Sequence, residues 1–268
     1  MRVTNGEAQI DVRVDGENGD AVVLLAGLML SHEIWDAQVK TLAATHRVIR
    51  ADMRGTGSSN APGGPYLMES LAGDIAAVLD SLGIERAAIV GHSLGGYVAL
   101  AFARMHLERL TRLALVCSHL EADTMEMSKF RNDLAANAES QHSVASVVHA
   151  FYPRMLAAQR YVPQSETAQR LRMMMQAADV GGTVAMLRGM ALRDPATDIA
   201  PDLAMPVLVV AGACDQTISL DEARRTADKF PHANLEIVDS SGHVPMIEEP
   251  DCLTNALDRW LMPRSPLR

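Results

Sequence analysis

Apolar and polar positions along this chain fall into short blocks that switch between two periods. Residues 9–14 alternate polar with apolar, which predicts an edge strand with one face buried. After a turn cluster at 15–20, residues 21–26 are continuously apolar, as expected of a central strand covered on both faces. Within 32–44, Ile34, Trp35, Val39 and Leu42 recur at helical spacing. The alternation continues with a strand at 47–51, a helix at 67–82 stopped by Gly83, a strand at 87–90, a helix reaching about His106 and a strand at 110–117. From about 120 to 198 strand patterns stop, and 125–138, 143–151, 165–178 and 183–192 carry helical spacing. A strand at 206–211, a helix at 220–230, a strand at 235–238 and a helix at 249–261 restore the alternation, and 263–268 is expected to fray.

A strand–helix–strand order of this kind predicts a parallel sheet with helices on both faces. The break predicts an insertion: residues 1–119 and 199–268 form an α/β core, and 120–198 form a helical layer over it. The length of 268 residues suits one such domain. A net charge of −9 argues against a nucleic-acid partner, which favours a basic face. The longest apolar run, 21–30, is too short to span a bilayer and contains Gly27, so no membrane partner is expected. The N-terminal residues lack the apolar core of a signal peptide, and Cys117, Cys214 and Cys252 are odd in number and widely spaced. Neither a disulfide framework nor a metal site follows, and the expected compartment is a reducing cytoplasm.

The candidate chemistry centres on Gly91-His92-Ser93-Leu94-Gly95, between the strand at 87–90 and the helix that follows. G-x-S-x-G alone recurs by chance in roughly one chain in ten of this length. A serine on a sharp strand-to-helix turn is more specific, because the turn lifts its hydroxyl to the mouth of the sheet and the helix N-terminus points free N–H groups at it. A serine hydroxyl is a weak nucleophile, so it needs a base, and the base needs an orienting acid. Asp215 follows the strand at 206–211, and His243 follows the strand at 235–238. Ser93, Asp215 and His243 therefore stand in the chain order of a triad built on such an elbow. The oxyanion donors expected are the backbone N–H groups of Leu94, after the nucleophile, and Leu28, at the end of the first central strand.

Together with Gly27-Leu28, Trp35, the 52–57 segment Asp-Met-Arg-Gly-Thr-Gly, Gly212-Ala213-Cys214-Asp215 and Gly242-His243, these motifs resemble the α/β-hydrolase superfamily over essentially the whole chain. Their order is similar to that of small bacterial serine carboxylesterases and enol-lactone hydrolases, and residues 191–195 resemble the end of the cap in such members. The resemblance implies an eight-stranded, mostly parallel sheet with a helical cap inserted after strand six. It also implies a small ester or lactone as substrate and no cofactor. One departure is Ala26-Gly27, where many relatives carry His-Gly; Ser31 and His32 lie nearby as possible substitutes.

Asp52 and Arg54 read as braces of the loop after their strand, and His92 as a packed side chain. Sixteen methionines against four phenylalanines suggest irregular apolar space filled by adaptable side chains. Met29, His119 and Met190 are the pocket candidates, with Met173, Met174, Met175 and Met186 nearby in sequence, and one of the arginines in 120–198 is a possible clamp for a substrate carboxylate. The reading is a cofactor-free serine hydrolase of a small carboxylic ester or lactone. Enol-lactone or related small-metabolite hydrolysis, perhydrolysis by the same acyl-enzyme, and a non-catalytic ligand-binding receptor on the same fold stay open beside it, as does the oligomeric state.

Overall fold

The computed structural model describes residues 1–160, 162 and 164–262; the expectation for 263–268 lies outside the described residues. Eight strands form one sheet in the order β1-β2-β4-β3-β5-β6-β7-β8. They are β1 (Arg2–Asn5), β2 (Ala8–Asp15), β3 (Ala21–Leu25), β4 (Arg47–Ala51), β5 (Ala87–His92), β6 (Leu110–Val116), β7 (Val207–Gly212) and β8 (Ala233–Val238). β2 runs antiparallel to β1 and β4, and every other pairing is parallel. The fold is the expected one, an α/β-hydrolase fold with helices on both faces.

The hydrophobic pattern marks seven of these strands. The eighth, β1, has four residues of which only Val3 is buried, too short a run to show a period. Its presence moves the 9–14 strand off the edge: β2 lies between β1 and β4. The helix expected over 32–44 is a 3-10 turn (His32–Trp35) followed by α1 (Asp36–Leu42).

Successive side chains of the central strands go to opposite faces. Val23, Leu25 and Ile89 pack with residues of α2 (Met68–Ser81) and α3 (Leu94–Met105), including Leu71, Ile75 and Phe102. Val22, Leu24 and Val90 pack on the other side with Trp35, Leu42 of α1, and Leu253 and Leu257 of the C-terminal helix Pro250–Leu261. The continuously apolar strands are thus continuously buried. The chain leaves β3 toward β4 and then returns to pair β5 on the other side of β3. The loops after β3 and β5 consequently diverge at neighbouring carboxyl ends and open a crevice there, where ligands bind in open α/β sheets.

Between β6 and β7 lie α4 (Met125–Gln141), α5 (Ala145–Met155), α6 (Glu166–Gln176) and α7 (Val180–Ala191). Thr124, Ser165 and Asp179 cap α4, α6 and α7 by accepting from the backbone N–H three residues on. The Asp179 cap starts α7 three residues before position 183; the two glycines in its first turn, poor helix formers, conceal that start. These helices are tied to the sheet domain. Tyr66 N–H donates to Ala185 O at 3.0 Å, and Arg170 pairs with Asp36 at 2.6 Å.

At Gly189 in α7 a Cβ would overlap the carbonyl of Tyr66, so only glycine lets this helix approach the loop before α2. Gly189→Ala is expected to cost ~1–3 kcal/mol through overpacking, lowering the thermal midpoint by roughly 3–10 °C. Gly73→Ala, where a Cβ on α2 would meet only Asn5 Nδ2 at an ordinary 3.9 Å, should be neutral or stabilising. Equal midpoints for the two variants in a thermal melt would contradict this account of the packing.

Candidate active site

Ser93 sits at the turn between β5 and α3 with φ +51° and ψ −115°, a region that non-glycine residues rarely occupy. Its backbone is held from three directions. Its N–H donates to Val116 O at 2.9 Å, and its carbonyl accepts from Ser118 Oγ and Gly96 N, both at 2.9 Å. The turn is possible because α3 runs against its own strand: a Cβ at Gly91 would overlap the backbone of Gly95, and a Cβ at Gly95 would lie 2.6 Å from Leu25 O.

His243 Nδ1–H donates to Asp215 Oδ2 at 2.8 Å. The other oxygen, Asp215 Oδ1, accepts from the N–H groups of Thr217 at 2.7 Å and Ile218 at 3.1 Å. Burial alone would raise the Asp215 pKa. The charge and hydrogen bond of His243 and the two backbone donors outweigh it and hold Asp215 below the ordinary carboxylate value. An ionised acceptor at Nδ1 leaves Nε2 of a neutral His243 with its lone pair free to take a proton. His243 and Ser93 both line one cavity of about 480 Å³ at the carboxyl ends of the strands. Asp215 stands behind His243.

The loop carrying His243 is fastened by residues that sequence reasoning ranked low or passed over. His92 is fully buried, and its Nε2–H donates to the His243 carbonyl at 2.8 Å, with the two rings 5.0 Å apart. Burial, then the His243 charge, pushes His92 down to about 3, so it stays neutral. Glu248 accepts from Gly242 N at 2.8 Å, Ser241 Oγ at 3.0 Å and, across in the segment after α5, Ala157 N at 2.7 Å. His243 N–H donates to Met155 O at 2.8 Å. No spacing in the sequence marks Glu248, whose partners include two backbone N–H groups that carry no residue signature.

Leu94 is the first residue of α3, and Leu28 follows Gly27 in the turn closed by Leu30 N–H to Gly27 O at 3.2 Å. Among the described residues neither Leu28 N–H nor Leu94 N–H donates to a protein acceptor; Leu28 lines the cavity, and Leu94, itself buried, directly follows Ser93, which also lines it. Met29, His119 and Met190 also line it. So do Met127, Met155 and Met175. The other methionines singled out do not. Met173 is exposed, Met186 is buried in the core, and Met174 Sδ accepts from Ser31 N–H.

Asp52 accepts from the backbone N–H of His32 at 2.7 Å and of Ser58 at 2.9 Å, and Arg54 forks onto Asp74 at 2.7 and 2.6 Å. Both acids and bases here brace the loop after β4. His32 is committed to Asp52 at 3.1 Å and lines, with Ser31, a separate cavity of about 250 Å³. Neither residue lines the cavity of Ser93, so neither stands in for a histidine before Gly27. Among the described residues the one cluster with metal-donor spacing is Cys117, Asp215 and His243, whose Asp and His atoms already bond each other.

The family model for the alpha/beta hydrolase fold matches residues 20–250. A Caulobacter sp. (strain K31) protein provisionally named carbamate hydrolase RutD is 33% identical over 249 residues, covering 90% of each chain. Among solved structures, a thermophilic esterase from Thermogutta terrifontis, with malate bound, superposes with a TM-score of 0.93 at 30% identity and covers 97% of each chain. The enol-lactonase of Burkholderia xenovorans LB400 superposes with a TM-score of 0.89 at 28% identity, covering 97% of this chain and 99% of that one.

The lowered Asp215 carboxyl has a consequence for stability. Unfolded, it titrates near ~4; folded, it binds a proton less readily. Its contribution is therefore complete above the unfolded value and is lost as pH falls through the folded one. In urea unfolding, Asp215→Asn should lose less stability than the parent chain between pH ~5 and ~3. Parallel acid limbs for the two proteins would refute this.

Proposed function

Because the chain belongs to the α/β-hydrolase fold family and is a hydrolase, we propose that it is a cofactor-free serine hydrolase that cleaves a small carboxylic ester or lactone through an acyl-enzyme on Ser93. The observation that carries this reading is the 2.8 Å bond of His243 to a buried, ionised Asp215, in a cavity that Ser93 also lines from a strained turn. Residues 120–198 act in this reading as a cap that shapes the cavity, and 1–119 with 199–268 as the core that carries the chemistry.

The substrate carbonyl oxygen lies at the Leu28 and Leu94 N–H groups. Ser93 Oγ attacks the carbonyl carbon while His243 Nε2 takes the hydroxyl proton. Negative charge gathers on the oxygen between the two N–H donors, and losing one such donor commonly costs roughly 100- to 1000-fold in rate. The tetrahedral species collapses, and the imidazolium gives its proton to the departing alcohol or enol oxygen. Water then enters and its oxygen attacks the acyl carbon as His243 Nε2 takes a proton; the C–Oγ bond breaks, the imidazolium returns the proton to Ser93 Oγ, and the acid leaves. Asp215 stays ionised throughout and steadies the imidazolium.

The likeness to the Burkholderia enol-lactonase supports the lactone branch of this reading. The 33% identity to the protein named carbamate hydrolase supports a second reading, in which the attacked carbonyl belongs to a carbamate. The same triad serves both, since either carbonyl carbon accepts the serine oxygen.

The test is hydrolysis of 4-nitrophenyl acetate, butyrate and octanoate by the parent chain and by Ser93→Ala. The parent should turn over at least one of them, and the variant should be at least ~1000-fold slower. Equal rates in both proteins would sink the Ser93 mechanism. A higher kcat/KM on an aryl carbamate than on the matched ester would select the second reading.

A further inference from the structure

The wall of the cavity formed by the start of α4 and the end of α7 carries charge that the proposed chemistry does not use. Asp123 is buried, with its side chain 4% exposed, and it holds two arginines at once. Arg131 Nε lies 2.6 Å from Oδ2 and its Nη2 3.3 Å from Oδ1, while Arg193 Nη1 binds Oδ1. Both arginine side chains are at least nine-tenths buried, at 9% and 3% exposure. Burial raises the Asp123 pKa, but the hydrogen bond and charge of Arg131 and then the charge of Arg193 reverse this and keep it low, so the carboxylate is ionised. The trio therefore sums to one buried positive charge.

The two cations are not alike. Arg193 is spent. Besides Asp123 it donates to Met190 O and Glu121 O, and it lies 4.0 Å over the Tyr97 ring. Arg131 is not, and it lines the cavity. Among the described residues its Nη1 meets only the Met190 thioether at 3.8 Å, a weak acceptor. A buried guanidinium with an unspent edge on a substrate cavity is costly unless an anion completes it. The acids on the same wall are engaged elsewhere: Glu121 with His119 at 3.2 Å, and Glu222 with Ser219 in a helix cap. At the rim, Arg154 and Arg225 line the cavity and make no ion pair among the described residues.

We infer that this cavity takes an ester or lactone that carries a free carboxylate, and that Arg131 clamps it. The inference rests on the proposed hydrolase reading and names its substrate class. A structural role for the cluster would need one arginine for Asp123. The second one, facing the cavity, is what points to a ligand. Carboxylate and guanidinium match in charge and plane, and a charge-assisted pair of this kind is worth about 10- to 100-fold in binding.

The experiment compares mono-4-nitrophenyl glutarate with 4-nitrophenyl pentanoate, which lacks the distal carboxylate. The parent chain should prefer the anionic ester by about 10-fold or more in kcat/KM, mainly through KM. Arg131→Gln should cut that ratio by about 10-fold or more, and Arg131→Lys should restore part of it. Glutarate should inhibit the parent competitively, where sodium chloride at equal ionic strength does not. A parent that prefers the neutral ester, or an Arg131→Gln protein with the parent's ratio, would overturn the clamp while leaving the hydrolase reading intact. If neither ester is cleaved, the hydrolase reading is judged by the esters and carbamate above, and the clamp alone by glutarate binding in calorimetry. Binding to the parent that is lost in Arg131→Gln supports it, and no binding to the parent overturns it. Should Arg131→Gln fold poorly, the parent's ester preference and glutarate inhibition still decide.

Discussion

The structure depends on one turn. Ser93 occupies a backbone conformation that costs of order 1–3 kcal/mol in isolation, and it keeps that conformation because the surroundings leave no other. Val116, Ser118 and Gly96 each hold one of its backbone groups, and α3 runs so close to β5 and β3 that Gly91 and Gly95 have no room for a Cβ. The same close approach brings the N-terminus of α3 beside the loop after β3. Strain at Ser93 and the two unspent N–H groups at Leu28 and Leu94 are thus products of a single packing event. A side chain at either glycine would push strand and helix apart and lose both.

The second half of the site is held differently. His243 lies on a loop rather than on a strained turn, and loops need outside anchors to keep a base in register. Asp215 fixes the imidazole, but Glu248, His92 and Met155 fix the backbone that carries it. Two of these anchors join the loop to the helical segment: Met155 accepts from His243, and Glu248 reaches Ala157 as well as Gly242. The helices between β6 and β7 are therefore coupled to the base, not only to the cavity wall. A change in how α5 seats would move His243, whereas Ser93 is bound within the sheet domain.

That difference explains what could be read along the chain. β3, β5 and β7 were legible because each is buried on both faces and nearly all apolar, and Ser93 and Asp215 because each follows such a strand; β4, β6 and β8 hold shorter apolar runs broken by or joined to polar residues, and His243 follows the last of these. β1 was not legible, since a four-residue strand with one buried side chain has no period to detect. The start of α7 was hidden by its own glycines, with only the Asp179 cap to betray it. Glu248 and the Asp123 cluster were out of reach for another reason. Part of their meaning lies in contacts across 70 or more positions, Asp123 with Arg193 and Glu248 with Ala157, and a linear pattern holds no trace of those. His92 was visible as a packed residue, but its hydrogen bond to a loop 151 positions away was not.

The cavity itself combines two kinds of wall that usually oppose each other. Five methionines from the helical segment and the β3 loop, Met29, Met127, Met155, Met175 and Met190, give it an adaptable apolar lining. Arg131 and Asp123 set a fixed charge pattern into that lining. An apolar surround lowers the local dielectric, so the unspent edge of Arg131 acts more strongly than it would in water. Flexible thioethers tolerate many shapes of chain, while a buried guanidinium accepts few kinds of group. Under the proposed clamp, selection by this site falls less on the length of the substrate than on whether an anion reaches the α4 wall. The proposed chemistry at Ser93 is indifferent to that choice, because the carbonyl it would attack is the same in either case.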